Sequence, residues 1–561
     1  MAAADKGQPM VRWYDPVLLA QTGLRAAIST AVGGVADSRK VHAALAPPPK
    51  IYDHDKDCKP GDDFWFDYVA DLGDGWQSTN AVARAICQKE IATGSSGDKT
   101  ERGHLLIMGG DEVYPTPSLK AYHDRTIAPW DEACSGQEPF ETILYALPGN
   151  HDWYDGLHAF SEIFCRGGRG SLASIDASFD CLKTVQSHSY FALKLPHDWW
   201  VCGIDIALNN EIDSTQYDFF FETAKKIKKG QRLILCAPTP SWVRQADGEE
   251  GANDLLNEII AMLTANGGDL RLVVTGDLHH YSRYDKQGDE VKLITAGGGG
   301  AFMHPTHKLP ESVSLKSDGI SDQLFTCQKR YPAKADSRRL SWHNLLFPLK
   351  NRSFAVASGL VYVLLVWFLE TRNLTVNESM GATITSMIDG HISVPATLQH
   401  FFYLIPRSPE FAIVVTMVAA ALIGFNMTHS HAARVIGGLF HTLAHIAGLV
   451  IAYCFAILML SMLPPAWLAN GTGFIAFIFI LFVTGSIFGG MIFGIYLIIA
   501  LNVFNTQWTN AFSALRIANF KNFLRFKIDK NGDLVVYPYG IDDVETRPVH
   551  PHLIEEPFTI K

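Results

Sequence analysis

Four short segments of the chain combine carboxylates, an amide and imidazoles, which are side chains that bind divalent metal ions. They are Asp71-Leu-Gly-Asp74, Gly110-Asp111, Gly149-Asn150-His151-Asp152 and Gly276-Asp277-Leu-His279-His280. Such a mixed set of donors suits Mn, Fe or Zn. Two of these ions about 3.5 to 4 Å apart can clamp a phosphoryl group and generate a hydroxide. The residue types therefore indicate a divalent metal centre suited to phosphoryl chemistry.

The four segments must be positioned by the elements that precede them. Each one follows a short apolar run of the kind that forms a buried strand in an α/β domain. Loops at the carboxyl ends of such strands are where α/β proteins place their ligands. We expect strands at 65–69, 104–108, 143–147, 199–204, 232–236, 270–275 and 291–295.

The last third of the chain has a different composition. Four runs contain no Asp, Glu, Lys or Arg, and they cover 353–369, 411–427, 435–463 and 472–503. A helix needs about 20 apolar residues to cross a bilayer, so these runs predict about four transmembrane helices. The fourth run is long enough to tilt, and we expect it to be a single helix.

Basic residues predict the orientation of these spans. They precede the first span at Lys350 and Arg352, follow the last at Arg516, Lys521, Arg525 and Lys527, and include Arg434 between the second and third. By the positive-inside rule, both ends of the multi-pass region face the cytoplasm. The predicted domains are 1–341 as the soluble catalytic domain, 342–507 as the membrane region and 508–561 as a cytoplasmic tail. In that tail, alternating runs around Asn531-Gly532 predict a β-hairpin.

Composition also argues against several other classes of protein. The net charge of −10 and the lack of a basic-aromatic stripe exclude an obvious nucleic-acid binder. The nine cysteines have no CxxC spacing, so they suggest neither a disulfide framework nor a thiolate zinc site. The N-terminus lacks the pattern of a secretory signal, and we expect the first domain to begin in a reducing compartment.

The Gly-Asn-His-Asp motif at 149–152 follows an apolar run, and a Gly-Asp pair precedes it in the chain. With the later Gly-x-x-His segment, this pattern resembles the calcineurin-like metallophosphoesterase superfamily over residues 67–300. The GDLHHY and LPGNHDWYDG segments resemble a membrane-anchored subfamily. The resemblance implies a four-layered αββα sandwich, followed here by the helical membrane bundle and the hairpin tail.

The resemblance also implies a role for each site residue. Asp71 and His279 would bind the first metal, Asp111 would bridge the two ions, and Asn150 would bind the second. His151 would protonate or stabilise the leaving oxygen, and Asp152 would hold His151 in position.

The chain departs from the family pattern at three places. Gly73 stands where the first motif usually has a histidine, and Asp277 replaces another. The segment LILCAPTP at 233–240 lacks the histidine that usually ends that strand. Either Asp74, His280 or His304 fills the gaps, or the site holds one metal, or catalysis has been lost.

The predicted reaction is hydrolysis of a phosphate mono- or diester by a metal-bound hydroxide. The alternative is a catalytically reduced, metallophosphoesterase-like binding or regulatory membrane protein. The substrate would be a phosphorylated small molecule or a lipid headgroup. In the membrane region, His441 and His445 share one helical face, a spacing compatible with a metal or haem ligand pair, although interhelical hydrogen bonding is the simpler interpretation.

Overall fold

The chain is described by a computed structural model that covers residues 7–23, 46–57, 61–93, 98–166, 178–206, 211–286, 288, 290–316, 321–371, 379–426, 428, 430–464 and 471–561. This described part divides into two compact units. Unit 1 contains Met1–Val11, Ala20–Arg338 and Arg516–Lys561, and unit 2 contains Arg12–Leu19 and Arg339–Leu515.

Sheet A of unit 1 has nine strands among the described residues. They are β1 (Ile51–Asp53), β8 (Phe191–Leu195), β9 (Trp199–Gly203), β10 (Arg232–Ala237), β11 (Asp269–Thr275), β12 (Tyr281–Asp285), β13 (Lys292–Ala296), β14 (Ser312–Leu315) and β15 (Gln323–Tyr331). Their order in the sheet is β1-β8-β9-β10-β11-β13-β12-β15-β14. The central strands β9, β10, β11 and β13 are parallel, and β12, β15 and β14 extend the sheet in antiparallel fashion.

Sheet B is the second large sheet of unit 1. Its strands are β2 (Phe64–Val69), β5 (Leu105–Met108), β6 (Thr142–Ala146), β7 (Leu182–Thr184), β16 (Lys521–Ile528), β17 (Leu534–Ile541), β18 (His552–Leu553) and β19 (Phe558–Ile560). Their order is β18-β17-β16-β2-β5-β6-β7, with β19 also paired to β17. Strands β2, β5, β6 and β7 are parallel, whereas β16 joins β2 in antiparallel fashion. A separate pair is formed by β3 (Glu90–Ala92) and β4 (Lys99–Glu101).

Sheet B buries both of its faces, as the continuous apolar runs require. One face packs against sheet A through residues such as Phe66, Leu105 and Ile234. The other face packs against helices through residues such as Leu106 and Trp130. The helices of unit 1 are α1 (Trp76–Ile86), α2 (Leu119–Tyr122), α3 (Ala128–Cys134), α4 (His158–Phe164), α5 (Ser214–Ala224), α6 (Ser241–Ala246) and α7 (Asp254–Thr264), and α8 (Lys334–Ser341) leads into unit 2.

All seven predicted strands are present, each within one residue of its expected bounds. The predicted tail differs more. Strands β16 and β17 pair with each other on either side of Asp529–Asp533, and β16 also pairs with β2 from Leu524 to Ile528. Residues 516–561 are therefore part of unit 1 and not a separate tail, because β2 needs a partner on this side.

Unit 2 is helical. Its helices are α9 (Phe347–Lys350), α10 (Arg352–Thr371), α11 (Met380–Ile388), α12 (Val394–Leu404), α13 (Pro409–Phe425), α14 (His431–Ser461), α15 (Thr472–Asn502) and α16 (Trp508–Ser513). Within the described residues, α10, α14 and α15 are long and apolar enough to cross a membrane. The count becomes four if Val394–Arg407 and α13, which meet at 96°, form one broken span. The predicted second run falls on α13, which has 17 residues as expected and could span only together with Val394–Arg407, and the fourth is one helix.

The two membrane-region histidines lie side by side, with ring centroids 5.0 Å apart. The hydroxyl of Tyr362 in α10 lies 3.1 Å from Nδ1 of His445 in α14. His441 stacks on the ring of Tyr496 at 4.0 Å. The His445 contact matches the simpler interpretation of interhelical hydrogen bonding, whereas neither ring nitrogen of His441 has a hydrogen-bond partner among the described residues.

The expectation of no disulfide is wrong, since Cys134 and Cys181 are bonded. The two cysteines are 47 residues apart in the sequence. Packing of α3 beside the start of β7 brings them together, and no local spacing pattern records such a contact.

Candidate metal centre

Three adjacent parallel strands of sheet B end at candidate ligands. β2 leads to Asp71, β5 to Asp111 and β6 to Asn150, while β11 of sheet A leads to Asp277. The backbone amide of Asp277 donates to both carboxylate oxygens of Asp71, at 3.2 Å and 3.0 Å. The polar loops that follow these strands of the two sheets therefore lie next to one another.

The three aspartates share an unusual backbone conformation. Asp71, Asp111 and Asp277 have φ of 62°, 55° and 65°, in the left-handed region. Residues other than glycine enter this region at an energetic cost, which aspartate tolerates better than most. Such conformations cluster at functional sites, where the surrounding fold holds them.

The hydroxyl of Tyr114 lies at the centre of the cluster. It lies 3.0 Å from Oδ1 of Asp71, 3.1 Å from Oδ2 of Asp111 and 3.1 Å from Nε2 of His279. Two carboxylates, one imidazole and one phenol thus converge from three different segments of the chain. All four side chains are buried.

The imidazole of His279 is oriented by its surroundings. Its Nδ1 lies 2.6 Å from the carbonyl oxygen of Phe302, which can only accept a hydrogen bond, so Nδ1 carries the proton. Nε2 is then the basic nitrogen, and it lies 3.4 Å from Oδ1 of Asp71. The ring stacks on His304 with centroids 4.0 Å apart, and Nδ1 of His304 accepts from the backbone amide of His279 at 3.1 Å. A carbonyl on the remote nitrogen is the usual arrangement for a metal-binding histidine.

The Gly-Asn-His-Asp loop wraps around Asp111. The backbone amide of His151 donates to Oδ1 of Asp111 at 2.8 Å. A Cβ at position 149 would lie 2.2 Å from the same oxygen, so the close approach requires glycine. The Asn150 amide nitrogen donates to the Tyr154 hydroxyl at 3.0 Å, which leaves its carbonyl oxygen for another partner.

His151 and Asp152 do not form the pair that the family resemblance implies. Nδ1 of His151 lies 2.9 Å from the carbonyl oxygen of Pro115, and burial lowers the pKa of His151 to about 4. Asp152 instead accepts from the backbone amides of Gly149 at 2.8 Å and Glu112 at 3.2 Å. Asp152 therefore links two loops of the site, because a backbone amide of each loop is buried here and needs a hydrogen-bond acceptor.

Two of the suggested gap-fillers, Asp74 and His280, lie elsewhere. The Asp74 carboxylate accepts from the backbone amides of Val11 at 2.8 Å and Phe302 at 3.2 Å, so it anchors backbone. His280 is fully buried, and neither ring nitrogen has a hydrogen-bond partner among the described residues.

Gly73 has a structural explanation. Its φ is +60°, and a Cβ there would lie 2.4 Å from the carbonyl oxygen of Glu112. No side chain fits at this position without moving the loop. Tyr114 supplies a donor group to the same cluster from a different segment.

Comparison with known proteins identifies the family of this domain. The family model for calcineurin-like phosphoesterases matches residues 64–281. Residues 64–281 are a calcineurin-like phosphoesterase domain. The domain spans less than half of the chain, and no curated protein matches the sequence.

Several solved structures resemble part of the chain at low identity. GAP50, the anchor in the inner membrane complex of Plasmodium, is 12% identical over 50% of this chain and 93% of its own, with a TM-score of 0.33. Purple acid phosphatase PPD1 from yellow lupin (Lupinus luteus) seeds is 14% identical over 46% of each chain, with a TM-score of 0.25. PhoD is 11% identical over 50% of this chain and 63% of its own, with a TM-score of 0.27.

The phosphoesterase domain has the donor set that a divalent metal needs. Burial raises the pKa of Asp71 and of Asp111 well above the ordinary value, and repulsion from neighbouring carboxylates adds to the effect. Without a cation, these groups are costly to keep ionised together. Their convergence with an oriented imidazole therefore fits the metal ions that this family normally binds.

Sequence reasoning missed the roles of two buried residues of unit 1, Tyr114 and Lys521. Tyr114 lies three residues after Asp111, so a search for further polar side chains next to Asp111 in the sequence would have found it. Lys521, in β16, is fully buried and donates to the carbonyl oxygen of Ala301. Burial lowers the pKa of Lys521 to about 7, while Asp74 and Asp71 oppose that shift. No local signal pointed to Lys521, because it lies 240 residues beyond the end of the family match.

Proposed function

We propose that the chain is a metal-dependent phosphoesterase that hydrolyses a phosphate mono- or diester. The observation that carries the proposal is the convergence of Asp71, Asp111 and His279 on the Tyr114 hydroxyl, each within about 3.1 Å. A buried set of this composition has few uses other than holding a cation.

The proposal assigns the candidate side chains to two ligand sets. The first consists of Asp71, Asp111, Tyr114 and His279. The second consists of Asp111, Asn150 and Asp277, with Asp111 bridging the two. These sets retain the two ions predicted from the sequence, include Tyr114 as a new ligand, and leave Asp74 and His280 outside.

The reaction would divide its tasks between the metal and the protein. Bound divalent ions supply Lewis acidity and activate water at neutral pH. His151 keeps Nδ1 on the Pro115 carbonyl, so Nε2 is the atom that would exchange a proton with the leaving oxygen. Asp152 holds the two loops that carry Asp111 and His151.

The apolar helices of unit 2 would anchor this domain as a multi-pass membrane protein, with the catalytic domain and C-terminus in the cytoplasm. A tethered domain has ready access to phosphate groups at the membrane surface. A lipid headgroup is therefore our first choice of substrate, and a soluble phosphorylated small molecule is the second.

The test is metal content and turnover of aryl phosphate esters by the purified full chain. Asp111→Asn should lose the bound metal and nearly all turnover, because it removes a charge from both ligand sets. His151→Ala should keep the metal and lose about 10² to 10⁴ in rate on an alkyl ester, with a smaller loss on a nitrophenyl ester.

The matched control is Asp213→Asn. Asp213 is also buried, but its side chain caps α5, a task that asparagine performs equally well. Its turnover and metal content should be unchanged. Full activity in Asp111→Asn would contradict the proposed centre, and metal loss in His151→Ala would place that imidazole among the ligands.

A further inference from the structure

The helices of unit 2 surround a cavity of about 330 Å³. Its walls come mainly from α10, α13 and α14, and Leu19 and Phe493 help to complete them. All of these residues belong to unit 2. Sites for small molecules in proteins begin at about 300 Å³. The cavity is therefore large enough to hold a small ligand within a single unit.

The walls of the cavity are apolar and uncharged. Val361 and Leu365 of α10 line it together with Val418 and Leu422 of α13. The described lining residues include no Asp, Glu, Lys or Arg. An ion that entered would lose its hydration without gaining an opposite charge. The walls therefore favour an uncharged ligand that consists largely of hydrocarbon.

One polar pair interrupts this apolar lining. The hydroxyl of Tyr362 in α10 lies 3.1 Å from Nδ1 and 3.1 Å from the carbonyl oxygen of His445 in α14. Both residues line the cavity. The contact with Tyr362 engages Nδ1, whereas Nε2 of His445 has no hydrogen-bond partner among the described residues and is not fully enclosed by protein atoms. Nε2 is therefore available to a ligand in the cavity.

The Ser and Thr hydroxyls of the lining are already paired within their own helices. Ser358 donates to the carbonyl oxygen of Phe354 at 3.0 Å. Thr442 donates to the carbonyl oxygen of Gly438 at 2.8 Å. Bonds of this kind to the preceding turn are common for Ser and Thr in helices. They leave Nε2 of His445 as the side-chain atom best placed to bind a ligand.

His445 lies deep in the helical region. It is the fifteenth of the 31 residues of α14, and Tyr362 is the eleventh of the 20 residues of α10. Both helices are long and apolar enough to cross a membrane, so both residues lie near the middle of a candidate span. Polar side chains at this depth are costly and are functional candidates by default. The bond to Tyr362 accounts for Nδ1 of the ring but not for Nε2.

We propose that this cavity binds an uncharged lipid alcohol. The hydroxyl would pair with Nε2 of His445, and the hydrocarbon chain would contact the apolar walls. A hydroxyl both donates and accepts, so it can pair with Nε2 in either tautomer of the ring. A phospholipid is the wrong ligand, because its charged headgroup would have to lie near the middle of a span. This site in unit 2 goes beyond the activity proposed for unit 1 and does not depend on it.

The experiment photolabels the purified full chain in phosphatidylcholine nanodiscs with a ten-carbon alcohol that carries a diazirine on its chain. Labelled peptides identified by mass spectrometry should come from α10, α13 or α14. Excess 1-decanol should suppress this labelling, whereas equal amounts of decane or decanoate should have much less effect. Decane tests for simple partitioning of hydrocarbon, and decanoate tests for binding of an anion.

Two variants test the residues that carry the proposal. His445→Phe keeps a ring but removes Nε2, and labelling at a subsaturating concentration of the alcohol should fall by about tenfold. Val361→Phe fills the cavity with a larger side chain, so labelling should be lost while the imidazole of His445 is retained. The matched control is Leu360→Phe, at a neighbouring position whose side chain is exposed and outside the cavity lining. Its labelling should equal that of the wild type.

Three results would overturn the proposal. Unchanged labelling in Val361→Phe would place the alcohol outside the cavity. Unchanged labelling in His445→Phe would show that Nε2 does not bind the hydroxyl. Suppression by decane or decanoate equal to that by 1-decanol would show that the hydroxyl is not selected. Size-exclusion chromatography checks that each variant is folded, and Val361→Phe decides the outcome when His445→Phe does not fold.

Discussion

At the scale of single residues, Tyr114 is the side chain that most changes the ligand set predicted from the sequence. A hydroxyl within about 3.1 Å of two carboxylates and an imidazole is either their hydrogen-bond partner or a fellow ligand. We assign it as a ligand, because the three groups around it are themselves candidate ligands.

The first prediction follows from this assignment. Tyr114→Phe should lower metal affinity by about 10- to 100-fold and leave the fold intact, since the ring keeps its packing. Metal content after dialysis against graded chelator concentrations measures the change. Unaltered affinity would show that the hydroxyl only bridges the carboxylates and does not bind the metal.

Gly73 provides the second prediction at this scale. Gly73→Ala should destabilise unit 1 strongly and reduce metal content, because its Cβ would meet the Glu112 carbonyl oxygen at 2.4 Å. Gly230 also has positive φ, at +83°, but a Cβ there would have no described atom within 4 Å. Gly230→Ala should therefore cost only about 1 kcal/mol of backbone strain. Thermal unfolding of both variants compares the steric conflict at Gly73 with backbone strain alone at Gly230. Equal losses of stability in the two variants would contradict the steric explanation.

At the scale of elements, β16 is the strand on which sheet B depends. It places Arg525 against Asp67 of β2, with Nε to Oδ1 at 2.7 Å and Nη2 to Oδ2 at 3.1 Å. Both side chains are almost fully buried. Loss of one partner from such a pair leaves an uncompensated charge in the core.

The third prediction uses this pair. Arg525→Met should destabilise unit 1 by about 3 to 5 kcal/mol, because the Asp67 carboxylate remains buried. Asp67→Asn combined with Arg525→Met should cost less than the sum of the two single changes. Denaturant melts of the four chains measure the coupling, and additive costs would show that the pair is not coupled.

At the scale of the whole molecule, unit 1 is assembled from segments that lie on both sides of unit 2 in the sequence. A domain boundary at residue 341 alone would leave the edge of β2 unpaired. Unpaired strand edges promote aggregation.

The fourth prediction is that residues 1–338 expressed alone will aggregate. The same residues joined to 516–561 through a flexible Gly/Ser linker should be soluble and bind metal. Size-exclusion chromatography with metal analysis compares the two proteins. A monodisperse, metal-loaded 1–338 fragment would show that β16 and β17 are dispensable.

The fifth prediction concerns membrane crossings. We predict four crossings, because unit 1 is built from segments on both sides of unit 2 in the sequence and the broken span Val394–Arg407 with α13 can supply the fourth. Cysteines introduced at Gly390 and Ser430 should react with an impermeant reagent from opposite sides of sealed vesicles. Labelling from the same side would contradict four crossings.

The sequence alone determined the sheet strands and singled out the segments to which we assign the metal chemistry. Buried parallel strands are continuous apolar runs, so polar residues that directly follow them are easily recognised. Asp71, Asp111, Asn150 and His279 could therefore be identified from the local sequence. Helices of membrane length are visible for the same reason, because a bilayer demands long uncharged runs.

Only the tertiary structure decided which distant residues meet. The Tyr114 hydroxyl, the Cys134–Cys181 disulfide and the pairing of β16 with β2 depend on contacts across 43 to 458 residues of chain, which no local pattern encodes. The role of Asp152 changed for the same reason: its neighbour in sequence is His151, but its hydrogen bonds go to Gly149, Glu112 and Tyr122. Sequence neighbours share a loop, and the packing of that loop determines which groups each side chain contacts.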